Sequence, residues 1–462
     1  MTVETPASAE ASGRAPVALV GAAEDQPGSR LRSSMLVLVA AFAVYLVLPG
    51  ELALVGPLRS NGSPLRLLGL LALFLVLAGF LRADTRLRAR PVAWVAVAYL
   101  GFAIVAWTTA NTRLLSADQS AQMDRSVLIV LSGVGITLLG AVVVRDLRDA
   151  HRLVGWLAAG AVLCAVVGGL QFAGVIDKWA DIVELPFMTT VVSPMGVVDR
   201  LGLNRVPGTT SSPLEYSVVL AVLLPLLVHL VLHAGSVGAR RAAGAAAAVV
   251  MLALPLGFSR SGLLTLAVTV LVLLVFLLPV HRLTVLLTLA FAAAGAVVAA
   301  PQIIGVFREL ITGAQDDLSI RGRLVDYPEA FERFEQAPWW GNGPSDAPLM
   351  ENILDNQWLV TLVRDGLVGV LGLAILILGG AALAAWSAGR AAPGSPARTF
   401  NGALCAGLLG TAVAAGTFDL LAFQQATFAV FLLLALVGVG VAHSGDSAAA
   451  EGADATSSEP PR

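Results

Sequence analysis

One apolar run constrains the fold of this chain more than any other feature. Residues 242–280 form a stretch of 39 residues whose only charged side chain is Arg260. As a single helix at 1.5 Å per residue, the run would be about 58 Å long, roughly twice the thickness of the hydrocarbon core of a bilayer. It must therefore contain two membrane spans. The segment PLGFSRSG, whose proline and glycines break a helix, is the predicted turn between them.

Apolar runs recur along the chain, which is 57% hydrophobic and only 13% charged, whereas soluble domains contain about 25% charged residues. Windows of span length predict about twelve transmembrane helices between residues 34 and 442. The predicted fold class is therefore an all-α integral membrane protein, surrounded by a lipid bilayer. The polar segments 1–33 and 443–462 are predicted to be disordered cytoplasmic tails.

The distribution of arginines predicts how the spans are oriented. Cytoplasmic connections carry an excess of Arg and Lys. If both termini are cytoplasmic, every short inner connection is basic, and the two long connections, about 175–212 and 301–365, are extracytoplasmic, the second containing short helices. This predicts a multi-pass membrane protein with both termini on the cytoplasmic side. The inner basic residues are then Arg82, Arg86, Arg88, Arg90, Arg145, Arg148, Arg152, Arg240, Arg241, Arg282, Arg390 and Arg398.

The predicted outer face gathers charges from three separate connections: Arg205, Arg260, Arg321, Arg323 and Asp355. Arginine suits phosphate oxygens because its guanidinium group is a planar, permanently charged fork of donors. Several arginines at a membrane surface therefore suit a diphosphate attached to a lipid. A carboxylate among them, Asp355, can accept a proton from a sugar hydroxyl. Taken alone, Arg260 is equally explained as an interfacial arginine that reaches a lipid headgroup.

Local patterns predict three further features of the outer connections. Ser212 caps a helix that starts at Pro213, and free backbone N–H groups there form a plausible anion site beside Arg205. An amphipathic helix over residues 324–334 is expected to pack on the membrane surface. Asp365 and Gly366 mark a break before the next span.

The sequence gives no sign of a metal, nucleotide or nucleic-acid site. The five histidines are predicted at or near the inner face, where His229 and His233 share a helix face without a third ligand and are expected to be interfacial. No cluster of Asp, Cys or His has the spacing of a metal site, and no Gly-rich nucleotide loop is present. We therefore expect no cofactor and no nucleic-acid partner.

The ordered motifs RVPGTTSSP, FSRSG, GR…Y…AFERFEQAPWWGNGP and DNQWL…DGLVG, over roughly residues 200–375, resemble the O-antigen ligase and Wzy-type polymerase superfamily. That superfamily has an Arg before a Gly-Thr turn and a Pro-started helix, then a Ser-Arg-Gly-like turn between spans. An Arg before a short helix follows, then a His-Asn-x-Tyr-Leu segment. Asp355 and Trp358 stand here where the ligases usually have His and Tyr, which favours the polymerases. The first five predicted spans match only by hydropathy.

The resemblance implies a membrane glycosyltransferase that uses an undecaprenyl-diphosphate-linked glycan donor and a glycan acceptor on the extracytoplasmic face, without a metal. It implies that Arg205 and Arg260 bind the diphosphate. Arg323 corresponds to the arginine before the short helix, with Arg321 as a second candidate for that role. A chain-length regulator is a further candidate partner of an exopolysaccharide or O-antigen polymerase.

Two alternatives to a polymerase stay open at this stage. A ligase would transfer the glycan to a lipid or protein acceptor. A transporter of lipid-linked glycans would also have many spans, but transporters place charges at the membrane midplane and show repeat symmetry between their halves. Neither feature is evident in this sequence.

Overall fold

The computed structural model describes residues 27–56, 61–82, 90–191, 195–200, 202–299, 305, 308, 318–344, 355–437 and 439. The side chains of residues 27–33, 90, 292–293, 296–299 and 318–326 lie outside the description. The predicted disordered tails fall almost entirely outside it, as does much of the second long connection.

The described chain is almost entirely helical. Two short antiparallel strand pairs join β1 (Leu52–Leu54) to β2 (Met188–Thr190) and β3 (Val198–Arg200) to β4 (Leu203–Arg205). A π-helical turn, Ile375–Gly379, makes α11 and α12 continuous. The helices are α1 (Pro27–Val44), α2 (Pro64–Leu81), α3 (Arg90–Asn111), α4 (Ala117–Val143), α5 (Leu147–Phe172), α6 (Pro213–His233), α7 (Val237–Ala253), α8 (Arg260–Phe276), α9 (Pro279–Ala299), α10 (Leu318–Gln336), α11 (Gln357–Ala374), α12 (Gly380–Arg390), α13 (Pro396–Ala415) and α14 (Gln424–Val437).

Each predicted span coincides with one of these helices, and the all-α membrane class is confirmed. Within the described residues, seven helices are long and apolar enough to cross a membrane. Two of the other helices fall short within their described residues. Helix α8 has 17 residues, and α13 begins with the polar residues Arg398 and Asn401. The predicted number of about twelve spans therefore stays a prediction.

Helices α2 and α4 cross with their backbones in contact. A Cβ atom on Gly69 would collide with the backbone of Ser132, and one on Gly135 would collide with the backbone of Gly69. Small residues allow this approach, as is common between membrane helices. Because the two backbones touch, the side chains on either side of the crossing are held in a fixed relation.

Helix α6 lies at the centre of the bundle and is buried along most of its length. It packs closely against the start of α8, where Gly262 faces Ser217. Helix α13 packs against α8 in turn through Gly410, which faces Thr269. These close contacts place the turn before α8 directly against the first turn of α6.

The connections meet at two opposite ends of the bundle, in agreement with the predicted alternation. The loop-rich end comprises residues 203–212, 254–260, 338–344, 355–356 and 418–423, which are joined by the contacts described below. At the other end, His151 Nε2 lies 2.8 Å from His229 Nε2, and His229 Nδ1 lies 3.0 Å from Thr399 Oγ1. The predicted basic connections that precede α5, follow α6 and precede α13 therefore lie at the end away from the loops.

Helix α10 corrects the predicted amphipathic helix in length and in packing. It spans Leu318–Gln336 rather than 324–334. Its residues Tyr327 and Ala330 pack against Leu359 and Val363 of α11, whereas Phe331 is 52% exposed. Tyr327 therefore contacts another helix of the protein, whereas the exposed Phe331 stays available for the predicted packing on the membrane surface.

Candidate functional site

The turn between α7 and α8 has a tightly defined backbone. A short 3₁₀ segment, Leu254–Gly257, follows α7, and Phe258 then adopts the left-handed conformation at φ 40°. Ser259 caps α8 by accepting a hydrogen bond from the Gly262 amide at 3.2 Å. Gly257 lies so close to Ser217 of α6 that no side chain would fit there. The predicted break at PLGFSRSG is confirmed, and Arg260 is the first residue of α8.

Arg205 holds this turn from the neighbouring loop. Its Nε donates a hydrogen bond to the Gly257 carbonyl at 2.9 Å, and Arg200 Nη1 donates to the Phe258 carbonyl at 3.3 Å. The Val206 amide also bonds the Leu256 carbonyl at 3.2 Å. The hairpin β3–β4 and the turn are therefore one unit, and the structure brings the predicted residues Arg205 and Arg260 to the same place.

Burial of Arg205, reinforced by the positive charge of Arg200, lowers the pKa of the Arg205 guanidinium to about 10. The group still carries its charge at neutral pH. Only part of its hydrogen-bonding capacity is used by Gly257, because Nε is one donor among five. The remaining donors belong to a side chain that lines a cavity described below.

The start of α6 corrects the predicted anion site on free backbone amides. Ser212 caps the helix as predicted, accepting from the Glu215 amide at 3.2 Å. The buried Glu215 carboxylate accepts from the Ser211 amide at 3.0 Å, the Ser211 hydroxyl at 2.6 Å and the Ala426 amide at 2.9 Å. The Ser211 and Glu215 amides at this helix start are therefore occupied by side chains of the protein, and the guanidinium group of Arg205 is the neighbouring charged donor.

The segment PWWGNGP docks into a break in helix α11. Gly366 has φ 69° and ψ −165°, so the helix is interrupted after Asp365 as the sequence predicts. The break leaves the carbonyls of Val363 and Arg364 free to accept from the amides of Asn342 at 2.8 Å and Gly343 at 2.9 Å. Arg113, at the end of α3, donates to the Gly341 carbonyl at 2.7 Å. The PWWGNGP segment and the DGLVG segment at the helix break are therefore joined by backbone hydrogen bonds into one structure.

Asp355 lies at the loop-rich end, just before α11. The adjacent Asn356 caps that helix, accepting from the Leu359 amide at 3.2 Å, and the Gln357 amide bonds the Phe418 carbonyl at 3.1 Å. This contact brings Asp355 close to Asp419. Burial raises the pKa of the Asp419 carboxyl and the charge of Asp355 adds to the rise, while Arg364 opposes it.

Arg321 and Arg323 lie within α10, and their side chains fall outside the described part of the structure. Their predicted roles stay predictions. Nearer the C-terminus of the same helix, Arg333 forms an ion pair with Glu329 at 2.7 Å.

Two cavities open at the loop-rich end. One has a volume of about 580 Å³ and is lined by Arg333 and Arg364 together with Asp419. The other has a volume of about 480 Å³ and is lined by Arg205, Glu51 and Ser211. Arg66, Arg125 and Ala422 line both cavities, which therefore share a wall. Arg260 and Asp355 do not belong to the lining of either cavity.

Several of these lining residues were missed in the sequence. Arg66 and Arg125 lie at the outer ends of the second and fourth predicted spans, so the predicted topology carried a signal for them. Asp419 also stands in an outer connection. Glu51 could not be recognised from the sequence, because Ser211 and Glu215, which act on its carboxyl, are far away in the chain.

Three of the described histidines, His151, His229 and His233, lie away from this end of the molecule, as predicted. His151 and His229 hydrogen-bond each other, and the rings of His229 and His233 lie 5.2 Å apart at the opposite end. The sequence did not predict that His151 joins the pair. Among the described residues, no group of three or more His, Cys, Asp or Glu side chains is arranged to hold a metal ion.

Comparison with known protein families finds a match, and it covers part of the chain that forms the loop-rich end of the bundle. Residues 245–374 match the family model described as O-antigen ligase (Wzy_C). This segment contains the turn at Arg260, helix α10, the PWWGNGP loop and the break at Gly366. Among curated proteins, none matches the chain. The resemblance to the O-antigen ligase and Wzy-type polymerase superfamily that the ordered motifs predict is therefore confirmed over this segment of the chain.

Proposed function

We propose that this protein is a membrane glycosyltransferase that polymerises undecaprenyl-diphosphate-linked oligosaccharide repeat units on the extracytoplasmic face of the inner membrane. The observation that carries the proposal is the pair of adjoining cavities, lined by arginines and a carboxylate, in a polytopic helical protein with an O-antigen ligase segment. Permanent positive charge beside an acidic group suits transfer of a sugar from a diphosphate leaving group.

In this proposal Arg205 and Arg260 bind the donor diphosphate, with Arg321 as a further ligand and Arg323 contributing to catalysis. The hydrogen bond from Arg205 to Gly257 supports this assignment, because it places both arginines on one rigid unit. As the bond between the anomeric carbon and the diphosphate oxygen breaks, negative charge develops on the leaving group. Guanidinium groups that are already in place stabilise this charge without reorganisation.

Asp355 is the proposed general base. Its carboxylate takes the proton of an acceptor hydroxyl, whose oxygen forms the new bond to the anomeric carbon from the face opposite the leaving group. A single displacement of this kind inverts the configuration at that carbon. Asp419 is the second candidate for the base, because it lies near Asp355 and lines the larger cavity. The mechanism as written does not require a metal ion.

The assignment as a polymerase rests on Asp355, which stands where the ligases of this superfamily usually have histidine. Transfer of the glycan to a lipid or protein acceptor is the alternative. A transporter is less well supported, because the charged cavities gather at one end of the bundle, whereas transporters carry their sites near the midplane.

The test is an assay with the purified full-length protein in proteoliposomes, an undecaprenyl-diphosphate-linked repeat unit and EDTA. A polymerase gives a ladder of products from the donor alone. A ligase gives one shifted product, and only after a separate acceptor is added. A protein that moves the lipid-linked glycan across the bilayer without making either product would contradict the proposal.

A further inference from the structure

Arg66 and Arg125 lie on the wall shared by the two cavities, outside every motif that carries the family resemblance. They belong to the first turns of α2 and the first half of α4, and their positive charges act on each other. Both side chains are half-buried. Two guanidinium groups on one cavity wall repel each other. An anion bound between them offsets this electrostatic repulsion.

The backbone geometry fixes the two helix segments that carry Arg66 and Arg125. Gly69, one turn after Arg66, meets Ser132, two turns after Arg125, in the direct backbone contact between α2 and α4. The arginines therefore approach the cavity wall from two helices whose crossing is locked. Such preorganisation favours a ligand with a fixed charge arrangement.

The neighbouring groups leave Arg125 available to a ligand. Within the described residues, Arg125 has no hydrogen-bond or ion-pair partner. The nearby Asp124 accepts a hydrogen bond from Trp107 at 2.8 Å, and Asp365 pairs with Arg364 at 2.7 Å. Asp124 and Asp365 are therefore bound to partners other than Arg125.

We infer that Arg66 and Arg125 bind the diphosphate of a lipid-linked substrate at the junction of the two cavities, between Arg205 on one side and Arg364 on the other. This inference rests on the proposed function for the identity of the lipid. A diphosphate has the right chemistry because its two phosphoryl groups can meet guanidinium groups from both cavities, and bidentate contacts favour arginine over lysine.

The test measures binding, so that it is independent of turnover. Farnesyl diphosphate is titrated into the full-length protein in detergent, with farnesyl monophosphate, inorganic pyrophosphate and phosphatidylglycerol as comparison ligands. We expect Arg125→Ala to weaken farnesyl diphosphate binding at least about tenfold and Arg125→Lys to recover part of the loss. The control is Arg241→Ala, an exposed arginine in the first turns of α7 at the opposite end.

A second measurement needs no variant and covers the case in which Arg66→Ala does not fold. Phenylglyoxal modifies accessible arginines, and mass spectrometry of the wild-type protein reports each site. Farnesyl diphosphate should protect Arg66 and Arg125 but leave Arg241 reactive. Unchanged binding by Arg125→Ala, absent protection, or equal protection by phosphatidylglycerol would each overturn the inference. Intact, Arg125-dependent binding in a protein that makes no polymer would contradict the proposed function instead.

Discussion

Arg205 performs two tasks, and this distinguishes it from a simple positive charge. Its Nε holds the turn before Arg260 through the Gly257 carbonyl, while the same side chain lines the smaller cavity. The guanidinium group of arginine has several donors in one plane, so it can bond the turn and an anion at the same time. The lysine side chain has a single nitrogen and cannot reproduce this geometry. The geometry of the turn and the binding of a diphosphate are therefore coupled through one residue.

Replacing Arg205 by lysine should thus reduce glycosyl transfer although the charge is kept. We expect the initial rate to fall at least about tenfold, equivalent to roughly 1.4 kcal/mol of transition-state stabilisation. The measurement is the initial rate of polymer formation in proteoliposomes. Arg200→Lys is the matched control, because Arg200 bonds the same turn at a longer 3.3 Å and does not line either cavity. Equal effects of the two substitutions would argue against the coupling.

Glu51 gives the smaller cavity a pH dependence. Burial, with a further contribution from Glu215, raises the pKa of the Glu51 carboxyl to about 7. The other charged groups of that cavity are Arg66, Arg125 and Arg205. Below pH 7 Glu51 is neutral and tolerates an anion beside it. Above pH 7 it is ionised and repels one.

The affinity for farnesyl diphosphate should therefore fall as the pH rises from 6 to 8, by up to about tenfold more in the wild type than in Glu51→Gln. The comparison removes the titration of the probe itself, which affects both proteins equally. Binding measured at several pH values gives the two slopes. Parallel slopes would show that Glu51 does not titrate near the bound diphosphate.

At the scale of elements, the interlocked loop and helix break depend on backbone conformation. Gly366 has a positive φ, and a Cβ atom there would meet the backbone of Trp339 and Gly341 at 2.5 Å. Gly366→Ala should consequently destabilise the docked loop by about 1–3 kcal/mol. A lowered midpoint of thermal unfolding in detergent reports the change. Gly379→Ala is the control, since Gly379 has helical φ and its nearest neighbour lies 3.7 Å away. The same midpoint for both variants would contradict the assigned role of the break.

The sequence predicted these elements well where the signal is local. A charge inside a long apolar run, a serine cap before Pro213 and a glycine after Asp365 each determine a break or a helix start within a few residues. Contacts between elements were predicted less well. Tyr327 and Ala330 of α10 pack on α11, and the Glu215 carboxylate accepts from the Ala426 amide, and both contacts depend on residues far away in the chain.

At the scale of the whole molecule, the candidate site combines the two halves of the chain. The motifs predicted the segment from Arg205 to Asp355, and the order of spans indicated which ends carry loops. Hydropathy alone described the first spans, so it could not show that the crossing of α2 and α4 at Gly69 and Gly135 brings Arg66 beside Arg125. The arginines of the shared wall emerged only from the packed structure.

The central claim is that sugar transfer from a diphosphate takes place at the loop-rich end. The most direct measurement uses proteoliposomes with EDTA present. It determines the rate of undecaprenyl diphosphate release and the number of diphosphates released for each glycosidic bond formed. We expect the wild type to release one undecaprenyl diphosphate for each bond formed. The release rate should fall at least about a hundredfold in both Arg260→Ala and Asp355→Ala and stay at the wild-type value in Arg241→Ala. Wild-type rates in Arg260→Ala and Asp355→Ala at equal expression, or no release from any lipid-linked donor, would contradict the central claim.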